Sequence, residues 1–539
     1  MKSKHRNIWG IMVLGTLLSP LSVLTSCSDW SDHYDNASGG SNGNTLFEEI
    51  ASRAEISDFS EVLQNTRVFR QHKVTSTSYA ELLSGGSSLT VLAPQNGSFN
   101  KDSLLALLQT AKGDSAVEHF FVKNHLVRSP HSAVESRLIS LNGKYINFSP
   151  SEIGGASVGE SNIQTRNGVL HVLQAPVEYR KTLYETLALD EDFKSVGACI
   201  ETYNEDYFDE NASVSSGLVD GVPVYVDSVV VERNKMMEAI GLLNEEDSVY
   251  YVSVPTNAGW NSAWQKAAKY FNFADDVEKR DSLQRYWTTR ALMDDAIFSR
   301  TIQASPNDSV KSKWYNRDTP EYHVFYKPYE ATGLFGKAKG QKECSNGILY
   351  YYDEWPFDPQ QTYFKKIEQE GETTWNITEY TNTKCTYSAK ATLDKRVHKG
   401  AYVQILPSKT NGTWDVTYKL SNVLSGKYNV HVVTIPKTIA IETATNLPVK
   451  YKVKLNYFGQ DGKPVVKDCG AFDSSKDGEI PLDEISDLIV AADMEFPVSL
   501  YNQSNYVTIT ISGNANAKKA KTETSEMYLD YIYLEPVNE

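Results

Sequence analysis

The chain is poor in cysteine. Its five cysteines are scattered over 539 residues, and no CxxC pair is present. Zinc ribbons and thiol–disulfide redox sites need closely spaced cysteines, so neither is predicted. Apart from Cys27, the cysteines are Cys199, Cys344, Cys385 and Cys469. Their wide separation argues against a dense disulfide framework, and we expect buried free thiols.

Basic runs and nucleotide-binding motifs are also missing. The formal net charge is −15, and acidic and basic residues are mixed along the chain. Because no Lys/Arg block occurs beyond the N-terminus, a nucleic-acid partner is not expected. No HExxH, P-loop or GxGxxG motif stands in a suitable setting.

One stretch, Gly155 to Gly159, has the GxSxG spacing of serine hydrolases around Ser157. A nucleophile elbow needs a strand directly before the serine and a helix directly after it. Strand-like segments flank this stretch on both sides, which predicts a hairpin loop and an inert Ser157. The sequence therefore predicts that the protein is not an enzyme. A glycosidase-like enzyme with an unrecognised carboxylate pair is the open alternative, because the separation of such a pair is spatial.

The composition points to several β-rich globular domains. A hydrophobic fraction of 40% is enough for packed cores, and 539 residues are too many for one core. The 32 tyrosines and 9 tryptophans suit pleated sheets, while sugar-stacking platforms are the alternative use of so many rings.

The N-terminus has the features of a targeting segment. Lys2, Lys4 and Arg6 precede an apolar stretch that is too short for a comfortable membrane span. The stretch ends in Leu-Thr-Ser-Cys27, which resembles the bacterial lipobox. The resemblance implies a signal peptide over residues 1–27 and a lipidated Cys27 that attaches the protein to a bilayer.

The residues that follow Cys27 read Ser-Asp-Trp-Ser-Asp-His-Tyr-Asp. They resemble the export tag of Bacteroidetes surface lipoproteins, which implies an outer-membrane lipoprotein of the cell envelope facing the exterior. Residues 28–44 also contain a Gly/Ser/Asn-rich run, so we expect a flexible tether there.

Two parts of the chain repeat one order of elements. In each, apolar residues at helical spacing precede a short apolar strand that ends at a proline, Pro94 or Pro255. Later, an Asn-Gly pair opens a second strand, at Asn167 or Asn346. The two segments begin and end with the same elements and differ in the stretch between them. This pattern predicts that one domain type occurs twice in the chain.

The repeated segments resemble the fasciclin (FAS1) family. Residues 90–99, Thr-Val-Leu-Ala-Pro-Gln-Asn-Gly-Ser-Phe, and 254–260, Val-Pro-Thr-Asn-Ala-Gly-Trp, are similar to its first signature. Residues 167–173, Asn-Gly-Val-Leu-His-Val-Leu, are similar to its second. The resemblance implies an α+β fold of two FAS1-like β-sandwich/helix domains, at 45–180 and 181–365.

The fasciclin family also carries a Tyr-His pair on a strand between its signatures. The first copy offers Asn124-His125, so the tyrosine is missing, and His171 lies in its second signature. In the second copy Tyr350 replaces that histidine. Asn124, His125 and His171 are thus the candidate binding residues, and a buried hydrogen-bonded histidine pair is the alternative interpretation.

The last part of the chain, residues 370–539, reads as short alternating strands separated by Gly, Asn, Asp and Pro. Strands without helical intervals predict an all-β sandwich or jelly roll. The closing run Met527 to Pro536 resembles the last strand of galactose-binding-like domains. That resemblance implies carbohydrate binding without locating a site.

A loop in this part fits most of an EF-hand pattern. Acidic, glycine and apolar residues stand at the required spacing, although the flanking segment is not helical. No cofactor is expected, and calcium is the one candidate metal. Its candidate ligands are Asp473, Ser475, Asp477, Glu479 and Glu484.

These features together predict a lipid-anchored surface protein for adhesion or for binding a glycan or an extracellular or cell-surface protein. A glycosidase-like enzyme and a structural spacer of the envelope are the alternatives. The binding class is favoured because no catalytic motif stands in its required structural setting.

Lipidation at Cys27 is directly testable. We expect Cys27→Ala to leave an unprocessed precursor that incorporates no labelled fatty acid, because the thiol that accepts the diacylglycerol is gone. Gel mobility and metabolic acyl labelling measure both effects, with Cys199→Ala as the matched control. Unchanged processing and labelling of the Cys27 variant would refute the lipid anchor.

Overall fold

The computed structural model describes residues 43–70, 73–219, 222–299, 309–316, 321–388 and 395–537. The predicted signal peptide, Cys27 and nearly all of the predicted tether lie outside the described residues. The chain divides into two compact units, residues 1–179 with 206–233, and residues 180–205 with 234–539. In the part that is described, no helix is long and apolar enough to cross a membrane.

The first fasciclin-like copy combines short helices with a twisted sheet. Its helices are α1 Leu46–Ala51, α2 Ser57–Asn65, α3 Tyr79–Ser84, α4 Lys101–Leu107 and α5 Ala111–Val117. Its strands are β1 Arg67–Arg70, β2 Lys73–Ser78, β3 Leu89–Pro94, β4 Leu126–Arg128, β5 Ser136–Ile139, β6 Tyr145–Phe148, β7 Glu152–Ile153, β8 Ala156–Thr165 and β9 Gly168–Leu173. Strands β3 to β9 form one seven-stranded sheet, in the order β4-β3-β9-β8-β7-β6-β5.

The two signature strands pair at the centre of that sheet. Strand β3 runs parallel to β9, with Leu89 opposite Gly168 and Pro94 opposite Leu173. Both strands are buried along their whole length, which explains their continuous apolar sequence. Pro94 ends β3 because it has no N–H to donate to a further ladder bond.

The second copy repeats this arrangement. Its helices are α6 Leu183–Leu189, α7 Lys194–Glu201, α8 Lys235–Ile240, α9 Asn257–Ala268 and α10 Arg280–Ala296. Its strands are β12 Tyr250–Pro255, β13 Ile297–Ser299, β14 Ser309–Asn316, β15 Glu321–Tyr326, β16 Gly340–Cys344 and β17 Gly347–Tyr352, and the strands β10 Asn204–Val219 and β11 Val222–Asn234 form a separate two-stranded sheet. Strand β12 runs parallel to β17, with Tyr250 opposite Gly347 and Pro255 opposite Tyr352. Pro94 and Pro255 therefore occupy equivalent positions, as the repeat predicts.

Asparagine side chains fix both copies in the same way. The Asn167 carboxamide accepts the Leu46 N–H at 2.7 Å and donates to the carbonyls of Leu83 and Gly85. In the second copy Asn346 accepts the Leu183 N–H at 2.8 Å and donates to the carbonyls of Leu243 and Glu245. Each asparagine thus joins the start of the first helix, the segment that precedes the first signature strand, and the second signature strand. We call these two residues the asparagine clamps.

The rest of the chain forms a sandwich of two sheets. Its strands are β18 Ile367–Glu370, β19 Ile377–Thr381, β20 Thr383–Ser388, β21 Tyr402–Pro407, β22 Asp415–Leu420, β23 Gly426–Thr434, β24 Lys450–Phe458, β25 Pro464–Asp473, β26 Ser486–Phe496, β27 Val507–Gly513 and β28 Met527–Pro536, with one short helix, α11 Lys437–Ala440. One sheet has the order β20-β21-β28-β23-β26, with β18 also paired to β28, and the other has the order β19-β22-β27-β24-β25. Inward-facing residues such as Val432, Ile532, Val453 and Ile509 are fully buried between the sheets. The α+β copies followed by an all-β sandwich match the predicted fold class.

The sandwich shares its core with the second copy. Phe271, Phe273 and Ala274, from the segment after α9, belong to the same buried cluster as the sandwich strands. Between them, Asn272 donates from its side chain to Gln460 and to the carbonyl of Pro497, both at 2.8 Å. The second copy, apart from residues 206–233, and the sandwich therefore belong to one compact unit. The domain boundaries drawn from the sequence stay predictions.

The asparagine clamps give a matched pair of stability tests. Asn167→Ala and Asn346→Ala each remove three hydrogen bonds to the backbone, and we expect each to destabilise its own unit by about 2–4 kcal/mol. Differential scanning calorimetry should show a lowered transition for the affected unit. Asn65→Ala, which removes one exposed bond to Glu61, is the control and should cost less than about 1 kcal/mol. If either Asn167→Ala or Asn346→Ala left the free energy of unfolding unchanged, the two asparagines would not have equivalent roles.

Candidate functional site

The candidate residues Asn124 and His125 lie inside the first copy. Both are 1% exposed. Asn124 donates to the Val177 carbonyl at 3.0 Å, and the His125 ring contacts the Phe121 carbonyl at 2.8 Å and accepts the Val177 N–H at 3.0 Å. Both ring nitrogens of His125 are thereby used, so these side chains hold the end of the domain and offer no surface to a ligand.

The His171 ring also contacts backbone groups through both of its nitrogens, but in strand β9. It is fully buried in β9, where Nε2 contacts the His131 carbonyl at 2.9 Å and Nδ1 accepts the Asn162 N–H at 3.3 Å. Its partners differ from those of His125, so the two histidines do not form the hydrogen-bonded pair that the sequence allowed. The residues 118–125 are helical, and the strand β4 begins only at Leu126. The Asn124-His125 pair is thus not on a strand, unlike the Tyr-His pair expected from the family.

Ser157 lies in a hairpin, as the sequence predicts. It stands on β8, opposite Glu152 of β7, and the turn between them uses Gly154 and Gly155 at φ values of 58° and 83°. No helix follows the serine, because β8 continues to Thr165. The backbone donors that a serine nucleophile needs for its oxyanion are therefore not assembled here.

The calcium-loop candidates have other partners. The Asp473 carboxylate binds the Lys450 ammonium and accepts the N–H groups of Ser475 and Lys476. Asp477 accepts the Asp473 N–H at 2.6 Å, the Ser475 hydroxyl donates to the Ile480 carbonyl at 2.9 Å, and Glu484 pairs with Arg396 at 2.7 Å. Glu479 adopts a positive φ of 52° in the turn. This arrangement is a hydrogen-bonded connection between β25 and β26, which favours the surface-loop interpretation.

The same loop forms one wall of a pocket at the end of the sandwich. The pocket has a volume of about 240 Å³. It is lined by the end of β23 and the start of α11 (434–437), by the β25–β26 loop (474–484) and by the start of β28 (524–528). Loops from both sheets therefore converge on one cavity.

A polar network lines one side of this pocket. Glu526 pairs with the Lys437 ammonium at 2.7 Å and accepts from Tyr528 at 2.5 Å and from Gln404 at 3.0 Å. Burial raises the pKa of Glu526, but these three donors outweigh burial and hold the pKa below its usual range. The Tyr528 pKa is raised by burial and by the adjacent Glu526 charge. Glu526 is thus a fixed, ionised acceptor and Tyr528 a neutral phenol.

The opposite wall is mixed in character. Ile435, Leu447 and Leu482 contribute apolar surface, while Ser474 and Ser486 contribute hydroxyls. The Ser486 hydroxyl is buried and has no hydrogen-bond partner in the described structure. A cavity with convergent donors, acceptors and apolar patches suits a small polyhydroxylated molecule.

The network of Gln404, Lys437, Glu526 and Tyr528 was missed by the sequence reasoning. Gln404 lies on β21, Tyr528 on β28, Glu526 directly before β28 and Lys437 on the short helix α11, so no single motif joins all four. The closing strand from Met527 resembles the last strand of galactose-binding-like domains. Tyr528, the first tyrosine of that strand, is the one member of the network that lies in a segment noted in the sequence.

A different group offers the ligand geometry of a metal site. Among the described residues, Glu368, Glu370 and His398 have ligand atoms within 4.8 Å of one another. The Lys399 ammonium lies 2.6 Å from Glu370 and 3.3 Å from Glu368, so a metal ion would have to displace it. In the sequence, the Glu-x-Glu spacing on one strand is the signal that points to these residues.

Comparison with known families identifies the first copy. Residues 64–177 match the family model of the Fasciclin domain. This part of the chain is therefore similar to the Fasciclin domain over those residues. The match covers the segment in which both signature strands and the candidate histidines lie.

Several solved structures are also similar to the chain. A FAS1 domain pair from the insect cell adhesion molecule Fasciclin I is 13% identical, over 58% of this chain and 97% of that one, with a TM-score of 0.18. A family 35 carbohydrate binding module from Clostridium thermocellum is 11% identical over 32% and 99% of the two chains, with a TM-score of 0.18. A family 22 module of Clostridium thermocellum Xyn10B is 8% identical over 31% and 91%, with a TM-score of 0.19. At these TM-scores none of the similarities says what this chain binds. The comparison with curated proteins gives no significant match.

The buried His125 predicts a pH-dependent stability of the first copy. Burial lowers its pKa to about 4, whereas an unfolded histidine titrates near 6.5. The unfolded state therefore binds the proton first, and stability is lost as the pH falls from about 6.5 through 4, by roughly 3 kcal/mol. His125→Gln should be less stable at neutral pH but should show a flatter dependence, measured by calorimetry between pH 7 and 4. His131→Gln, at a partly exposed ring, should keep the wild-type slope. An unchanged slope in His125→Gln would refute the assignment.

Proposed function

We propose that this chain is a lipid-anchored, non-catalytic binding protein on the exterior of the cell envelope, and that it holds a saccharide in the pocket at the end of its C-terminal sandwich. Acylated Cys27 attaches it to the outer membrane. The fasciclin-like copies carry the sandwich and supply further surface for contact with proteins or glycans. No cofactor takes part.

The observation that carries this proposal is the composition of the pocket. Its volume of about 240 Å³ is below the range typical of drug-sized ligands, which favours one terminal sugar unit over a long oligomer. Glu526 accepts hydrogen bonds, Lys437 donates them, and Tyr528 does both. The apolar wall with Ile435 and Leu482 suits the C–H face of a sugar ring.

The charge state of Glu526 supports binding over catalysis. A glycosidase needs a carboxylic acid with a raised pKa to protonate the leaving oxygen. The Glu526 pKa is instead lowered by its three donors. The second acidic residue of the lining, Glu484, is engaged with Arg396.

A glycan array with the fluorescently labelled, acyl-free mature protein tests the proposal. We expect binding to glycans that share one terminal sugar. Glu526→Gln removes the charged acceptor while keeping the shape, and it should weaken affinity for the best glycan by about tenfold or more, because a hydrogen bond to a charged group contributes about 1.5–3 kcal/mol.

Glu379→Gln, on the exposed face of β19, is the matched control and should bind like the wild type. Thermal unfolding of both variants shows whether the fold is kept. If Glu526→Gln binds the glycan as tightly as the wild type, the binding site is not this pocket. If the array shows no binding to any glycan, the proposal that the ligand is a saccharide is wrong.

A further inference from the structure

A chain of polar side chains lies in the second fasciclin-like copy, outside the pocket. Asp295, at the end of α10, contacts Nδ1 of His323 on β15 at 2.7 Å. On the other side of the ring, Nε2 of His323 lies 3.1 Å from the Lys365 ammonium nitrogen, which comes just before β18. The Asp295 carboxylate, the His323 imidazole and the Lys365 amine thus form a continuous series of contacts.

The geometry fixes the roles of the two ring nitrogens. Asp295 is 1% exposed, and the same oxygen that contacts His323 accepts the Ser312 hydroxyl at 2.7 Å. A carboxylate has no proton to give, so Nδ1 of His323 is the donor and Nε2 is the acceptor that faces Lys365. Trp314 stacks on the His323 ring, with centroids 3.7 Å apart and planes 5° apart, and prevents the ring from turning.

The Lys365 ammonium lies beside His323 Nε2 and is partly shielded from solvent. Its ammonium lies 4.0 Å from the centre of the Trp314 ring, which positions the nitrogen. Burial lowers the pKa of Lys365, against the opposing charges of Glu321, Asp295 and Glu368. Its neighbour Lys366 has the opposite tendency: although burial works against the charge, the contact with Glu368 raises the Lys366 pKa.

We propose that Lys365 is an activated amine that condenses with small aldehydes, with His323 as its proton acceptor and Asp295 as the group that orients His323. The arrangement is that of an activated nucleophile, in which a base takes the proton and a third group holds the base. No step of the proposed saccharide binding uses these residues.

The reaction balances without an oxidant or reductant. His323 Nε2 takes a proton from the Lys365 ammonium, and the imidazolium that forms is stabilised by Asp295. The neutral nitrogen adds to the aldehyde carbon and gives a carbinolamine. Its hydroxyl then leaves as water, with a proton returned by His323, and a carbon–nitrogen double bond forms to Lys365.

Reductive trapping on the whole mature protein tests this inference. The probe is acetaldehyde with sodium cyanoborohydride at limiting dose, and mass spectrometry counts the N-ethylated lysines. We expect Lys365 to be labelled several-fold faster than Lys366 at pH 7, because the Lys365 pKa is lowered and the Lys366 pKa is raised, so a larger fraction of Lys365 is neutral. Lys366 is the internal control because it is the more exposed neighbour.

His323→Gln keeps a polar side chain but lacks the base, and we expect it to reduce the labelling of Lys365 to the level of Lys366. The labelling rate of wild-type Lys365 should also rise at lower pH than that of Lys366, which is measurable even if the variant fails to fold. Equal rates and equal pH profiles for the two lysines in the wild type would overturn the inference and leave a purely structural contact. A folded His323→Gln variant with unchanged labelling would overturn the role of His323.

Discussion

The fold of both fasciclin-like copies depends on one interaction, the asparagine clamp. Two central strands that run parallel must be joined by a long crossover, and its ends need to be fixed. Asn167 and Asn346 stand at the far end of this crossover, directly before the second strand. Each binds the N–H group at the start of the first helix and two backbone carbonyls that precede the first strand. A carboxamide suits this position because it accepts and donates at once, whereas a carboxylate only accepts.

The clamp explains why the two copies differ elsewhere without losing their fold. In the first copy His171 connects strands through its ring nitrogens. In the second copy Tyr350 occupies the corresponding strand and stacks on Phe335 at 4.3 Å. The central pair keeps the same register in both copies while these rings differ. The second copy then extends its core into the sandwich through Phe271 and Phe273. The pocket of the sandwich lies at the end where its loops meet.

The sequence predicts the fold well because the decisive residues are local. Pro94 and Pro255 end buried strands, and the Asn-Gly pairs open their partners, so strand, turn and order are visible in short segments. The strands that contain Tyr402, Tyr418, Tyr428, Tyr451 and Tyr528 agree with the short alternating strands predicted for the last part of the chain. The pocket was not predictable, because Gln404, Lys437 and Glu526 come together only through the pairing of distant strands. The candidate histidines His125 and His171 are buried in the first copy. Their burial, which decides their role, cannot be read from one sequence.

The claim that the sandwich pocket is the binding site is tested most directly by hydrogen–deuterium exchange with and without a bound saccharide. The mature protein is labelled at a saturating concentration of the glycan, and peptides are compared along the chain. The pocket account predicts slower exchange in residues 434–437, 474–486 and 524–528, with the first copy unchanged. Protection confined to the fasciclin-like copies, with these three segments unaffected, would contradict it.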